Sequence, residues 1–113
     1  MNRITYNRLV RNKIPQIIEA DDKEVVYEIL STDDYMTMLD DKLGEEMMEY
    51  HDSKDVEKLA DILEVVYSIA RLKGVSCSEL EQMRQKKAEQ KGDFSDKIFL
   101  KEVIIKNLVN LLN

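Results

Sequence analysis

The stretch 54–73, KDVEKLADILEVVYSIARLK, constrains the fold more than any other part of this chain. Wound at about 100° per residue, it is a helix with two apolar faces. Val56, Leu59, Ala60, Leu63, Val66, Tyr67 and Ala70 share a broad face. Ile62, Val65 and Ile69 form a second stripe, and Glu57, Asp61, Glu64 and Ser68 run as a polar strip between the two. A helix apolar on two sides is covered on two sides, so the chain should pack helix against helix and also self-associate. The carboxylates of the strip would then stand beside apolar surroundings, where unpaired charge is costly. A bound divalent cation would remove that cost.

A second helical pattern precedes it. Ser31 or Thr32 suits an N-cap, Asp33 and Asp34 suit the first turn, and the helix should run to about Tyr50. Met36, Leu39, Leu43, Met47 and Tyr50 recur at steps of three and four. This segment carries Glu45-Glu46-x-x-Glu49, in which Glu46 and Glu49 flank the apolar face and Glu45 points away from it. Packed side by side, the two helices would gather four or five carboxylates around one point. Oxygen-only clusters suit a hard cation such as Mg²⁺, and Mg²⁺ points towards phosphate chemistry. The competing reading of the same residues is a solvated acidic surface. Gly44 lacks a side chain where close helix approach or metal access could use the space.

The rest of the chain adds shorter elements. Pro15 should open a short helix through Ala20. Residues 24–30 read as a short strand or as helix, and 97–104 as a strand that could pair with them. His51-Asp52-Ser53 should end the second helix. Ser76-x-x-Glu79 is a capping box that starts a fourth helix reaching about Lys91, and Ile105–Asn113 reads as a short terminal helix. With only three Gly and one Pro, the expected fold is a single mainly α domain over 1–113. It is a bundle of about four helices, with room for a small two-stranded β element.

Charge and composition narrow the function. A net charge of −6 argues against nonspecific nucleic-acid binding, which needs a basic surface. The single cysteine, Cys77, forms no internal disulfide, no apolar run reaches membrane-spanning length, and the start of the chain lacks a signal-peptide core. A cytoplasmic location without membrane contact is therefore expected. His51, the only histidine, has no nucleophile motif near it. Arg8, Arg11 and Lys13 near the N-terminus, with Lys86, Lys87 and Lys91 near Gly92, suit phosphate recognition. Composition alone favours plain solvation for them.

Three segments carry a family resemblance covering residues 6 to 100. They are Tyr6-Asn7-Arg8-Leu9-Val10-Arg11-Asn12-Lys13-Ile14-Pro15; Lys42-Leu43-Gly44-Glu45-Glu46-x-x-Glu49 with Leu59-Ala60-Asp61-Ile62-Leu63-Glu64; and Lys87-x-x-x-Lys91-Gly92-Asp93-Phe94. In this order and at these distances the chain resembles the all-α nucleotide pyrophosphohydrolases of the MazG-like and phosphoribosyl-ATP pyrophosphohydrolase-like group. The resemblance implies Mg²⁺-dependent hydrolysis of a nucleoside triphosphate, or related nucleotide, to monophosphate and pyrophosphate. It puts Glu46, Glu49 and Asp61 at metal positions, and makes Glu45 or Glu49 the group that orients or deprotonates water. Arg8, Arg11, Lys13, Lys87 and Lys91 would face the phosphates, and the assembly would be a homo-oligomer, a dimer or tetramer. The chain departs from the family pattern at Lys58, where the first acid of an ExxD motif is expected, and at Asn12 and Asp93. Glu57 or Glu64 is the candidate replacement ligand. Two other readings follow from the same residues: a catalytically impaired nucleotide-binding relative, and a structural helical-bundle interaction protein.

Overall fold

The computed structural model describes residues 2–106. Four helices follow in order: α1 (Ile14–Ala20), α2 (Thr32–Ser53), α3 (Val56–Leu72) and α4 (Cys77–Lys91). The fold is mainly α, and no strand occurs among the described residues. Segments 24–30 and 97–104 are therefore not paired as a β element. Val26, Ile29, Ile98 and Phe99 on them are exposed, and among the described residues neither segment takes part in a ladder. The terminal helix expected over Ile105–Asn113 lies largely outside the described residues.

Local chemistry sets each helix end. Lys13 and Pro15 lead into α1, with proline where its missing N–H costs nothing. Ser31 caps α2: its Oγ accepts from the Asp34 N–H at 3.2 Å, with Asp33 and Asp34 in the first turn. The helix passes the expected stop at Tyr50 and includes His51, Asp52 and Ser53. None of these residues breaks a helix as Pro or Gly does. It ends where Lys54 turns left-handed, at φ 58°, and its N–H donates to the Tyr50 carbonyl at 2.7 Å. Asp55 then caps α3 by accepting from the Glu57 N–H at 3.1 Å. Gly74, at φ 82°, carries the chain out of α3. The Ser76–Glu79 capping box opens α4 as expected, with Glu79 N–H to Ser76 Oγ at 3.1 Å and Ser76 N–H to Glu79 Oε1 at 3.4 Å.

The chain divides into two compact units, Met1–Glu81 and Gln82–Asn113. In the first, the two-residue link Lys54-Asp55 folds α2 and α3 into a helical hairpin, whose packing is the main helix–helix contact. Leu39 of α2 and Val65 and Ala70 of α3 are the buried apolar residues among those described. Ile62 and Ile69 are half-buried, whereas Val56, Leu59 and Leu63 are exposed. Thus α3 turns its narrower stripe inward and leaves most of its broader face outward. Gly44 is not a point of close approach among the described residues, since a Cβ there would meet none of their atoms within 4 Å. The second unit holds the end of α4 and a segment without helix or strand among the described residues, on which Phe94, Leu100, Val103 and Ile104 are exposed.

Candidate carboxylate site

The hairpin brings Glu46 and Glu49 of α2 to Lys58 of α3, beside Asp61, and Glu45 joins them through Arg8. Lys58 and Asp61 stand three apart and Glu46 and Glu49 likewise, so each pair shares one helix face. The Lys58 ammonium occupies the middle. Its Nζ lies 2.9 Å from Glu49 Oε2, 3.7 Å from Asp61 Oδ2 and 4.0 Å from Glu46 Oε2. Lys42 closes the α2 side at 3.4 Å from Glu46 Oε1.

The N-terminal arm crosses this site. Arg8 Nη2 lies 3.1 Å from Glu45 Oε2 and 3.6 Å from Glu49 Oε1, and Arg11 Nη2 donates to Asp61 Oδ1 at 2.9 Å. Four carboxylates therefore face four cations, and the cluster is formally neutral. Among the described residues, no group of three or more His, Cys, Asp or Glu is arranged to hold a metal ion. Carboxylate oxygens that could converge on one are directed at Lys58 and the two arginines instead.

Glu46 is the exception within this balance. It is the buried charged residue among those described, 7% exposed. Its Oε2 is shielded from solvent and accepts no hydrogen bond. Burying an ionisable oxygen without a hydrogen-bond partner is unfavourable, so this atom marks where a further cation or donor would be stabilised.

The electrostatics follow the contacts. The hydrogen bond from Lys58 holds the Glu49 carboxyl below its ordinary range, with attraction from Lys58 and Arg8 adding to it. The same hydrogen bond raises the Lys58 ammonium above its ordinary value. Arg8 is raised through its hydrogen bond to Glu45. These shifts fix Glu49 and Lys58 in their charged forms near neutrality.

Other expected site residues make none of these ion pairs. Glu64 is outside the Lys58 network and pairs with Arg71 at 3.6 Å. Glu57 sits in the first turn of α3, where its N–H bonds the Asp55 cap. Lys13 is the N-cap of α1 and makes no ion pair among the described residues. Lys87 and Lys91 are on the part of α4 that belongs to the second unit. Lys42 was missed by sequence reasoning, although its i,i+4 spacing to Glu46 signals the pair. An open groove of about 270 Å³ lies beside Arg8 in the chain, lined by Leu9, Glu28, Ile29, Leu30 and Tyr35.

Comparison with protein-family models, with curated proteins and with solved structures found no match.

Proposed function

We propose that the α2–α3 cluster handles the phosphate tail of a nucleotide, and that the chain is an Mg²⁺-dependent nucleotide pyrophosphohydrolase. The observation that carries this reading is the buried, unpartnered Glu46 Oε2 beside Glu49 and Asp61, with two arginines reaching the same carboxylates. Glu46, Glu49 and Asp61 are the oxygen donors that would hold Mg²⁺ once Lys58 and the arginines release them. When bound, the ion would neutralise charge on phosphate oxygens.

The chain's own residues supply the rest. Arg8 and Arg11 leave their carboxylates for the phosphates, where a planar guanidinium binds two oxygens at once. Lys13, on the same arm, adds a third cation. Glu49 is held ionised by its hydrogen bond from Lys58, which suits it to ligation. Glu45, released by Arg8, takes the proton of the attacking water. The water oxygen bonds to the α-phosphorus, the α–β bridging bond breaks, and pyrophosphate leaves with the electron pair. The open groove with Tyr35 and Leu9 is an apolar seat of the kind a base needs.

Lys58 favours a second reading, a nucleotide-binding relative without turnover, because an ammonium already neutralises the candidate ligands. A panel of nucleoside triphosphates, assayed with Mg²⁺ for monophosphate and pyrophosphate, separates the two. Release of pyrophosphate that stops with chelator and with Asp61→Asn supports the enzyme. Nucleotide binding without release supports the second reading, and neither binding nor release leaves a structural bundle.

The outward face of α3 supports a homo-oligomer. Val56, Leu59 and Leu63 are exposed on one helix, and an apolar face of this size is normally covered.

A further inference from the structure

Residues 98–105, IFLKEVII, belong to no helix or strand among the described residues. Ile98, Phe99, Leu100, Val103, Ile104 and Ile105 are each at least 57% exposed. A contiguous exposed apolar run marks a surface that another molecule covers. Five of the eight residues are β-branched or aromatic, which suits them to a pleated, half-buried surface.

The order of the residues identifies what covers them. Three apolar residues precede Lys101 and three follow Glu102, so the run is self-complementary about its centre. Laid antiparallel beside a second copy of itself, Lys101 of each copy faces Glu102 of the other. Leu100 then meets Val103, Phe99 meets Ile104 and Ile98 meets Ile105. Every position faces either an apolar partner or an opposite charge, the pairs that stabilise neighbouring strands. A parallel, in-register pair would instead set lysine against lysine and glutamate against glutamate. The run is also bounded. One position further out Lys97 would face Lys106, and Lys97 stands at φ 59°, outside the strand region. A segment cannot lie beside itself within one chain, so only a second copy supplies this register.

We propose that residues 98–105 pair as an antiparallel two-stranded ladder with the same residues of a second copy, about a two-fold axis at Lys101 and Glu102. Main-chain N–H and C=O groups supply the hydrogen bonds. The central charges fix direction and register, and the apolar pairs withdraw exposed surface from water. A two-stranded ribbon alone is marginal in water. The inference therefore rests on the homo-oligomer reading, in which the outward face of α3 is also covered, and on no nucleotide or metal step.

The test is a charge exchange read by sedimentation equilibrium. The full chain is compared as wild type, Lys101→Glu, Glu102→Lys and the double exchange, with helicity checked by circular dichroism. Each single variant puts two like-charge pairs at the axis and should weaken association by on the order of tenfold. The double exchange restores unlike pairs at unchanged net charge and should return the wild-type affinity. Amide exchange across 98–105 should slow as protein concentration rises. Wild-type association that none of the three variants changes would overturn this proposal and leave the α3 reading standing. A monomeric wild type would overturn both. A double exchange weaker than either single variant would assign the run to residues 23–28, whose Glu24 and Lys23 can oppose Lys101 and Glu102, and would likewise overturn it. Loss in the single variants and recovery in the double, with association unchanged by Leu59→Asp and Leu63→Asp, would support this interface and remove the one on α3.

Discussion

At the scale of single residues, the Lys58–Glu49 hydrogen bond ties stability to pH. Glu49 is lowered and Lys58 raised by each other. A lowered carboxyl contributes stability that is present above its unfolded pKa and lost as pH falls through the folded value. A raised ammonium contributes below its unfolded pKa and loses it as pH rises through the folded value. The pair is therefore at full strength between about pH 4.3 and about pH 10.4, the unperturbed values of Glu and Lys. Thermal melts of wild type and Lys58→Met across pH should differ most inside that window. The contribution of the pair should fade in acid below it and in strong base above it. A difference that stays constant into acid would count against this account. Residue identities made most of the cluster legible in the sequence: the Glu46, Glu49 and Asp61 spacings mark the shared faces, whereas Glu45, read as pointing away, joins through Arg8. The place of Lys58 was not legible. A lysine reads as a departure from an acidic motif until the hairpin shows three carboxylates around its Nζ. Glu64 pairs instead with Arg71, about two turns further along α3.

At the scale of elements, capping decides where the hairpin turns. Asp55 bonds the Glu57 N–H at the start of α3, and Lys54 sits at positive φ just before it. Asp55→Ala should cost about 1 kcal/mol of stability, and Lys54→Gly should be neutral or slightly stabilising, because glycine adopts that backbone without strain. Both are read by urea denaturation. Gly44 is the opposite case, a glycine inside a helix with open space around its Cβ position. Gly44→Ala should raise stability by about 0.5–1 kcal/mol; a loss would show that another surface covers this position. The helix starts at Ser31 and Ser76 were legible because caps are local chemistry. The end of α2 was not, since His51-Asp52-Ser53 is merely a weak helix former and the turn depends on the hairpin closing at Lys54. Segments 24–30 and 97–104 carry strand-like composition, but composition does not provide a neighbour to pair with.

For the molecule as a whole, the two-faced character of α3 was legible, and its assignment was not. Periodicity identifies two apolar stripes without saying which one α2 covers. The hairpin takes Ile62, Val65 and Ile69, and leaves Val56, Leu59 and Leu63 outward. If a second copy covers that face, the paired substitution Leu59→Asp with Leu63→Asp should reduce the mass seen by light scattering to a monomer. It should also lower thermal stability, because α3 then loses burial on one side. A monomeric wild type would remove the argument for self-association.

The central claim is that water attacks the α-phosphorus of a nucleotide held at the α2–α3 carboxylates. Hydrolysis of a nucleoside triphosphate in ¹⁸O-labelled water with Mg²⁺, followed by mass analysis of both products, tests it most directly. The account predicts the label in the nucleoside monophosphate and unlabelled pyrophosphate, with both products lost in Glu46→Gln. Label in pyrophosphate or inorganic phosphate, or product formation that survives Glu46→Gln, would contradict it.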